Sequence, residues 1–75
     1  MTTLVYKRHA IIAGAKRDKH ENYEPTVHIS WVASAGKRAV HSFTLPKSCA
    51  TFDEASGFAL AAAKLWVDRH FDDLD

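Results

Sequence analysis

Residues 51–71 carry the strongest helix signal in the chain. Thr51 is followed three residues later by Glu54, which is the spacing of an N-terminal capping box. Glu54 also places negative charge in the first turn, where the helix dipole favours it. From Ala55 onward the residues are mostly Ala, Leu and Lys, which are strong helix formers, and Gly57 is the weak position. The sequence therefore predicts a long C-terminal helix against which the other elements pack.

Apolar side chains cover most of the surface of this predicted helix. At about 100° per residue, one apolar stripe consists of Ala55, Phe58, Ala59, Ala62, Leu65 and Trp66. A second set, which extends the stripe around the helix, consists of Leu60, Ala63, Val67 and Phe71. One face of a sheet does not normally cover so wide an arc, so either the helix lies in a groove or a second copy of the protein covers the remainder. We favour the second copy and predict that the second set forms a homodimer interface.

Three segments before the helix are rich in β-branched and aromatic residues, which is typical of strands. Residues 4–15 predict a first strand, although their weak alternation does not assign a buried face. Residues 26–33 and 38–45 predict the second and third strands, and residues 34–37 predict a glycine-containing turn between them. Residues 16–25 are polar and predict a loop.

The second and third predicted strands alternate clearly enough to predict their register. A pairing of Ala33 with Ala39 gathers the large apolar side chains on one face, whereas a shift of one residue would mix the faces. The further pairs are Trp31 with His41, Ile29 with Phe43, and Val27 with Leu45. The predicted fold is therefore α+β, a three-stranded antiparallel meander with the helix packed on one face (β-β-β-α). The other face would be open and would carry His28, Ser30, Val32, Val40, Ser42 and Thr44.

The length of 75 residues predicts one small domain, residues 1–75. So short a domain has a large surface relative to its core, and oligomerisation is a common remedy. A content of 47% hydrophobic and 25% charged residues excludes wholesale disorder. No apolar run is long enough to span a membrane, and the N-terminal residues lack a signal-peptide core, so we expect a cytoplasmic protein.

The net charge is only +1, but it is unevenly distributed along the chain. Residues 1–47 hold eight basic and three acidic residues, net +5, whereas residues 48–75 hold two basic and six acidic residues, net −4. This division fits either an anionic partner for the first part or two surfaces that attract each other in a dimer. Basic residues bind phosphates and aromatic residues stack on bases, so nucleic-acid binding is the alternative function. The predicted nucleic-acid contacts are Lys7, Arg8, Lys16, Arg17, Lys37 and Arg38.

The five histidines and the single cysteine form no recognisable metal or catalytic motif. In the predicted register His28 and His41 point to opposite faces, and no HxH, HExxH or CxxC spacing is present. Cys49 is expected to be a half-buried residue before the helix. The sequence also lacks a nucleophile turn and a glycine-rich phosphate loop. We therefore predict no enzyme activity, no catalytic residues, no metal site and no cofactor.

Two known families share parts of this pattern. The last helix of double-stranded RNA-binding domains resembles TFDEASGFALAAAKL, and the strands of that family are similar to PTVHISWVASAGKRAVHSF. That resemblance implies a first helix and lysines at the start of the last helix, where this chain has Asp53 and Glu54. The β-β-β-α order is also similar to the HicB-type antitoxin fold, with FTLPKSCATFDEA leading into an Ala-rich helix.

Over most of its length the chain resembles small bacterial β-β-β-α domains of unknown function. The positions that carry this resemblance are Tyr6, Lys7 and residues 25–31, 43–46, 51–55 and 66–68. The resemblance implies a fold and a bacterial source, and no activity. We expect a non-enzymatic binding or interaction module that forms a homodimer through the helix face or the open sheet face.

Overall fold

In the computed structural model, which describes residues 2–71 and the side chains of residues 2–70, one helix packs on a four-stranded antiparallel sheet. The strand order is β1-β2-β3-β4, so each strand pairs with its neighbour in sequence. The elements are β1 (Thr2–Tyr6), β2 (His9–Arg17), β3 (Tyr23–Val32), β4 (Arg38–Thr44) and α1 (Phe52–Phe71), with a 3₁₀ turn at Ser34–Gly36. The α+β class, the antiparallel sheet and the C-terminal helix confirm the prediction, and the predicted number of three strands is wrong.

The additional strand arises because residues 4–15 belong to a hairpin and not to one strand. β1 and β2 pair in antiparallel fashion, and Lys7 and Arg8 form the turn between them. Both turn residues have positive φ, 48° for Lys7 and 67° for Arg8, as a two-residue hairpin turn requires. This backbone conformation is unfavourable for residues with a side chain, and the usual sequence signal for it is Asn-Gly. A Lys-Arg pair carries no such signal, so the turn is not visible in the sequence.

The connection between β2 and β3 is also shorter than predicted. The two strands extend into the predicted loop of residues 16–25 and leave only residues 18–22 between them. The Asp18 carboxylate holds this turn by accepting hydrogen bonds from the backbone N–H groups of His20, at 2.8 Å, and Asn22, at 3.0 Å. Backbone hydrogen bonds, that of Asn22 foremost, lower the pKa of Asp18 because they stabilise its ionised form.

The register between β3 and β4 differs from the predicted one by two residues. Trp31 pairs with Ala39, whereas the prediction pairs Ala33 with Ala39. The turn explains the difference, because the N–H of Ala33 donates to the carbonyl of Lys37 at 2.6 Å and Gly36 adopts a left-handed φ of 73°. A shift of two residues keeps every side chain on its face, so the hydrophobic pattern does not distinguish the two registers. The predicted faces of both strands are correct, although the predicted pairing is wrong.

The helix buries a line of mostly small residues against the sheet. The fully buried members of this line, at every fourth position, are Ala55, Ala59, Ala63 and Val67. They complete a core to which the sheet contributes Ile11, Ala13, Val27 and Ile29. Because alanine lets a helix approach a sheet closely, the larger side chains surround this centre. Those packed against it are Tyr6, Trp31, Phe43, Leu60 and Trp66.

Both ends of α1 are held by polar contacts. Thr51 caps the N-terminus, since its hydroxyl accepts a hydrogen bond from the N–H of Glu54 at 3.1 Å. Near the C-terminus Asp68 forms an ion pair with Lys7 of the β1–β2 turn at 2.8 Å. The helix therefore runs along the sheet from the end that holds the β2–β3 turn to the end that holds the other two turns. Within the described residues, α1 does not offer a stretch apolar and long enough to cross a membrane.

Candidate interaction surfaces

The face of the sheet opposite α1, here called the open face, exposes a group of apolar side chains. Val5, Val32 and Val40 are 72%, 66% and 64% exposed, and Ile12 is 38% exposed. Among the described residues, the other large hydrophobic side chains with comparable exposure both lie on α1. Single exposed apolar residues are common on protein surfaces, whereas a contiguous group marks an interaction surface.

The strand register groups these side chains in two diagonal pairs, Val5 with Ile12 on β1 and β2 and Val32 with Val40 on β3 and β4, and Val5 and Val32 line one shallow depression. One row across the four strands consists of Val5, Ala10, Ser30 and Val40. The next row consists of Thr3, Ile12, His28 and Ser42, in which the His28 Nδ1 and the Ser42 Oγ lie 2.8 Å apart. These two rows contain no Lys, Arg, Asp or Glu, so the centre of the open face is apolar and hydroxylic.

The sequence prediction places Val32 and Val40 on the open face correctly and misses Val5 and Ile12. The two missed residues lie on β1 and β2, which the prediction merges into one strand without an assigned face. Once the chain reverses at Lys7 and Arg8, simple alternation on each side of the turn assigns both residues. The missing signal is therefore the turn and not the hydrophobic pattern.

Charged side chains lie at the two ends of the open face. At one end Arg8 and Arg38 line a shallow depression of about 220 Å³, and the Arg38 Nη1 donates to the Ser30 Oγ at 3.3 Å. At the other end the Lys16 Nζ lies 3.9 Å from the Glu24 Oε1. An apolar centre with a charged rim is the usual anatomy of a protein–protein interface, in which arginine is enriched.

The residues predicted as a dimer interface on the helix do not form an exposed face. Ala63 and Val67 are fully buried under the helix, and Leu60 packs against the same core. The side chain of Phe71 lies outside the described residues. The helix is apolar around most of its surface, so periodicity alone does not select the line that contacts the sheet. The line of small residues is buried, and Phe58 and Leu65 are left 43% and 51% exposed.

The predicted nucleic-acid contacts divide between the two ends of the sheet. One group lies at the end formed by the β1–β2 and β3–β4 turns, here called the basic end, and consists of Lys7, Arg8, Lys37 and Arg38. The other group lies about 25 Å away along β2 and consists of Lys16 and Arg17. The fold therefore does not bring the six residues together on one surface.

Within residues 2–70, three of these six basic side chains form ion pairs. The partners are Asp68 for Lys7 at 2.8 Å, Glu24 for Lys16 at 3.9 Å, and Glu21 for Arg17 at 3.3 Å. The register also places every Phe, Tyr and Trp of the strands on the side that α1 covers. Among the described strand residues, the aromatic ring that the open face offers for stacking on a base is therefore the imidazole of His28, and Trp31 lines the depression beside Arg8 and Arg38.

Asp68 links the helix to the first hairpin. Its Oδ1 accepts a hydrogen bond from the Tyr6 hydroxyl at 2.9 Å and lies 2.8 Å from the Lys7 Nζ. The Lys7 ammonium, followed by the Tyr6 hydroxyl, lowers the pKa of Asp68 because both stabilise the carboxylate. This polar contact closes the space between α1 and the β1 side of the sheet.

A second apolar surface, here called the edge groove, lies on the other side, between α1 and β4. Its volume is about 190 Å³, and its lining residues are Phe43, Ala62, Leu65, Trp66, Arg69 and His70. The helix lies mainly over β2 and β3, so β4 extends beyond it. β4 is an edge strand that pairs with β3 on one side. The groove therefore runs beside a strand edge.

His41, His70 and Cys49 serve in packing. His41 and His70 stack on Trp66, with ring centroids 4.6 and 4.4 Å apart. Cys49 is 2% exposed, more buried than predicted, and burial raises the pKa of its thiol and so disfavours the reactive thiolate. In the part of the chain that the structure describes, no three His, Cys, Asp or Glu side chains are placed to hold a metal ion.

Comparison with known proteins finds no matching family model and no matching sequence among curated proteins. The arguments for a function accordingly start from the geometry of the open face and the edge groove.

Proposed function

We propose that this protein is a non-enzymatic interaction module that forms a homodimer by packing the open faces of two copies against each other. The observation that carries the proposal is the concentration of Val5, Ile12, Val32 and Val40 on the sheet face opposite the helix. Two such faces in contact would form a four-layer arrangement, helix–sheet–sheet–helix, in which each sheet is covered on both sides. Face-to-face packing of twisted sheets is a common solution for apolar sheet faces.

The distribution of polar groups supports a second copy as the occupant. The two central rows combine apolar and hydroxyl side chains, which match an identical surface without placing like charges in contact. Arg8 and Arg38 lie at one end of the face and Lys16 and Glu24 at the other, so charges remain at the rim. A partner of strongly acidic or basic chemistry would find few complementary charges at the centre.

The size of the face sets the expected strength of the dimer. Four strands about 4.8 Å apart, with about six paired residues rising about 3.3 Å each, give a face on the order of 400 Å² per copy. Two copies would bury on the order of 800 Å², below the range of tight complexes. We therefore expect a reversible dimer that dissociates in the micromolar range.

Nucleic-acid binding is the less supported alternative. Of the six predicted contacts, those with no carboxylate partner within the described residues are Arg8, Lys37 and Arg38, and they cluster at the basic end. The alternative predicts salt-sensitive binding of duplex DNA or RNA that is lost when Lys37 and Arg38 are both changed to Glu. The same double variant should leave the open-face dimer intact, because both side chains lie at the rim.

Sedimentation velocity over a range of protein concentrations tests the dimer, with Val40→Asp as the central variant. Val40 is 64% exposed, so the variant monomer should fold, which circular dichroism checks. The wild type should shift from monomer to dimer as concentration rises. Val40→Asp should stay monomeric, because the dimer would desolvate a carboxylate in an apolar contact.

Leu65→Asp is the matched control, since Leu65 is 51% exposed and lies on the helix, away from the open face. It should form dimers with the affinity of the wild type. A wild type that remains monomeric at high concentration would overturn the proposal. A dimer that survives Val40→Asp and is lost in Leu65→Asp would assign the interface to the edge groove.

A further inference from the structure

The two edges of the sheet differ in how α1 meets them. On the β1 side, Tyr6 and Lys7 contact Asp68 at 2.9 and 2.8 Å and close the helix onto the first hairpin. On the β4 side, Trp66 of α1 stacks on His41 with ring centroids 4.6 Å apart, and the edge groove of about 190 Å³ lies beside this contact. Leu65, which lines this groove, is 51% exposed. An apolar groove therefore accompanies β4 and not β1.

β4 has the properties of a strand that can accept another strand. It pairs with β3 on one side, and among residues 2–71 no strand pairs with the backbone amides and carbonyls of its other side. Natural edge strands are commonly protected by proline, charged residues or bulges. Residues 39–44 contain no proline and no Asp, Glu, Lys or Arg, and Arg38 at the start of β4 is its single charged residue.

We infer that β4 and the edge groove together bind an extended peptide segment of a partner protein by strand addition. In such a complex the main chain of the peptide pairs with β4, and every second side chain points to the helix side of the sheet. Those side chains would lie over Phe43, Leu65 and Trp66, which are apolar. The intervening side chains would extend the open face beside Val40. The groove thus selects a peptide with apolar residues at alternate positions.

The charges around the groove add a preference for acidic residues. Arg69 lines the groove, and Lys37 and Arg38 lie at the same end of the sheet as the C-terminal part of α1. None of the described residues that line the groove is Asp or Glu. A carboxylate in the peptide, next to its apolar anchor, would meet the guanidinium group of Arg69. The fitting partner is an extended, alternately apolar segment that carries acidic residues.

Peptide selection followed by affinity measurement tests this inference. A library of random twelve-residue peptides displayed on phage is selected against the full-length protein, and the enriched peptides are synthesised with a fluorescent label. Fluorescence anisotropy then compares the wild type with Leu65→Glu and Arg69→Glu. Phe58→Glu is the matched control, because Phe58 is 43% exposed on the same helix but does not line the groove. Circular dichroism checks that each variant is folded.

We expect peptides that alternate apolar residues and carry Asp or Glu. Their affinity should fall at least about tenfold in Leu65→Glu, less in Arg69→Glu, and remain unchanged in Phe58→Glu. Hydrogen exchange of the β4 amides should slow when the peptide binds, and N-methylation of alternate peptide amides should abolish binding because it removes the ladder hydrogen bonds.

Three results would overturn the inference. They are a selection that returns no specific peptide, selected peptides that bind Leu65→Glu as tightly as the wild type, and β4 amides that exchange at an unchanged rate in the complex. Protection of the β4 amides that grows with protein concentration alone, and is lost in Leu65→Glu, would assign β4 to a second copy of the chain instead of a peptide.

Discussion

The covered face and the open face of the sheet come from the same alternating strands but have different surroundings. Ile11 and Ile29 on the covered face are fully buried under α1, whereas Val5 and Val40 on the open face remain 72% and 64% exposed. A single helix covers one face of a four-stranded sheet, and the other described residues lie in strands and turns. A domain of this size can therefore complete its core on one face and still carry apolar side chains on the other.

The largest expected difference between the two faces is in how much stability the protein loses when a side chain is truncated to alanine. Ile29→Ala should lower the free energy of unfolding by about 2–5 kcal/mol, because it leaves a cavity in the core. Val40→Ala should change it by less than about 0.5 kcal/mol in the monomer, as is usual at exposed positions. Urea denaturation at a protein concentration below the dimer range measures both values.

Ile29→Val is the companion variant if Ile29→Ala does not fold, and it should cost about 0.5–1.5 kcal/mol. An equal loss of stability in Val40→Ala and Ile29→Ala at low protein concentration would show that the open face is covered within one chain. The distinction between the two faces would then be wrong.

A smaller effect concerns the helix that makes the faces different. Thr51→Ala removes the hydroxyl that accepts the N–H of Glu54 and should cost about 1 kcal/mol of stability. Thr44→Ala on the open face is the matched control, because Thr44 is exposed and caps nothing. Thr44→Ala should lower the free energy of unfolding, measured by thermal or urea denaturation, by less than Thr51→Ala does. An equal cost for the two variants would contradict a capping role for Thr51.

The smallest of the three effects concerns the contact that closes α1 onto the β1 side. Lys7 and Tyr6 lower the pKa of Asp68 in the folded state. Stability from this contact is therefore present above the unfolded carboxyl pKa of about 3.9 and is lost as the pH falls through the lower folded pKa. Asp68→Asn should be less stable than the wild type at neutral pH, and the difference should shrink on acidification.

Glu21→Gln is the control for this pH dependence, since it removes an exposed carboxylate that pairs with Arg17 at 3.3 Å. Exposed ion pairs contribute little to stability, so its unfolding should follow the wild type at each pH. A difference between Asp68→Asn and the wild type that stays constant down to the acid range would argue against an ionised Asp68 as the cause.

The sequence predicted those parts of the fold that depend on local chemistry. The cap at Thr51 and the alternation of Val27, Ile29 and Trp31 both reappear in the structure. The turn at Lys7 and Arg8 was not predictable, because its positive φ values are held by the pairing of β1 with β2 and not by residues that prefer them. The sequence therefore predicts the side chains of the open face on β3 and β4 alone.

The interface predicted on the helix shows a second limit of prediction from sequence, which concerns the side of α1 that contacts the sheet. Hydrophobicity alone predicts burial against the sheet for Phe58 and Leu65 as readily as for Ala63 and Val67, since all four are apolar and lie around one helix. The structure buries Ala63 and Val67 and leaves Phe58 and Leu65 partly exposed. Close approach of the helix to the sheet favours small side chains at the contact, and this steric condition exists only when both elements are present.

By itself the sequence determined that the chain is α+β, that its helix is C-terminal with a cap at Thr51, and that β3 and β4 present one apolar face. These features follow from periodicity and from hydrogen bonds between residues close in the chain. Only the tertiary structure decided the number of strands, the register of β4, and the line of α1 that is buried. Each of these depends on contacts between distant segments. Two arrangements satisfy the same hydrophobic pattern there, and side-chain packing and turn geometry select one of them.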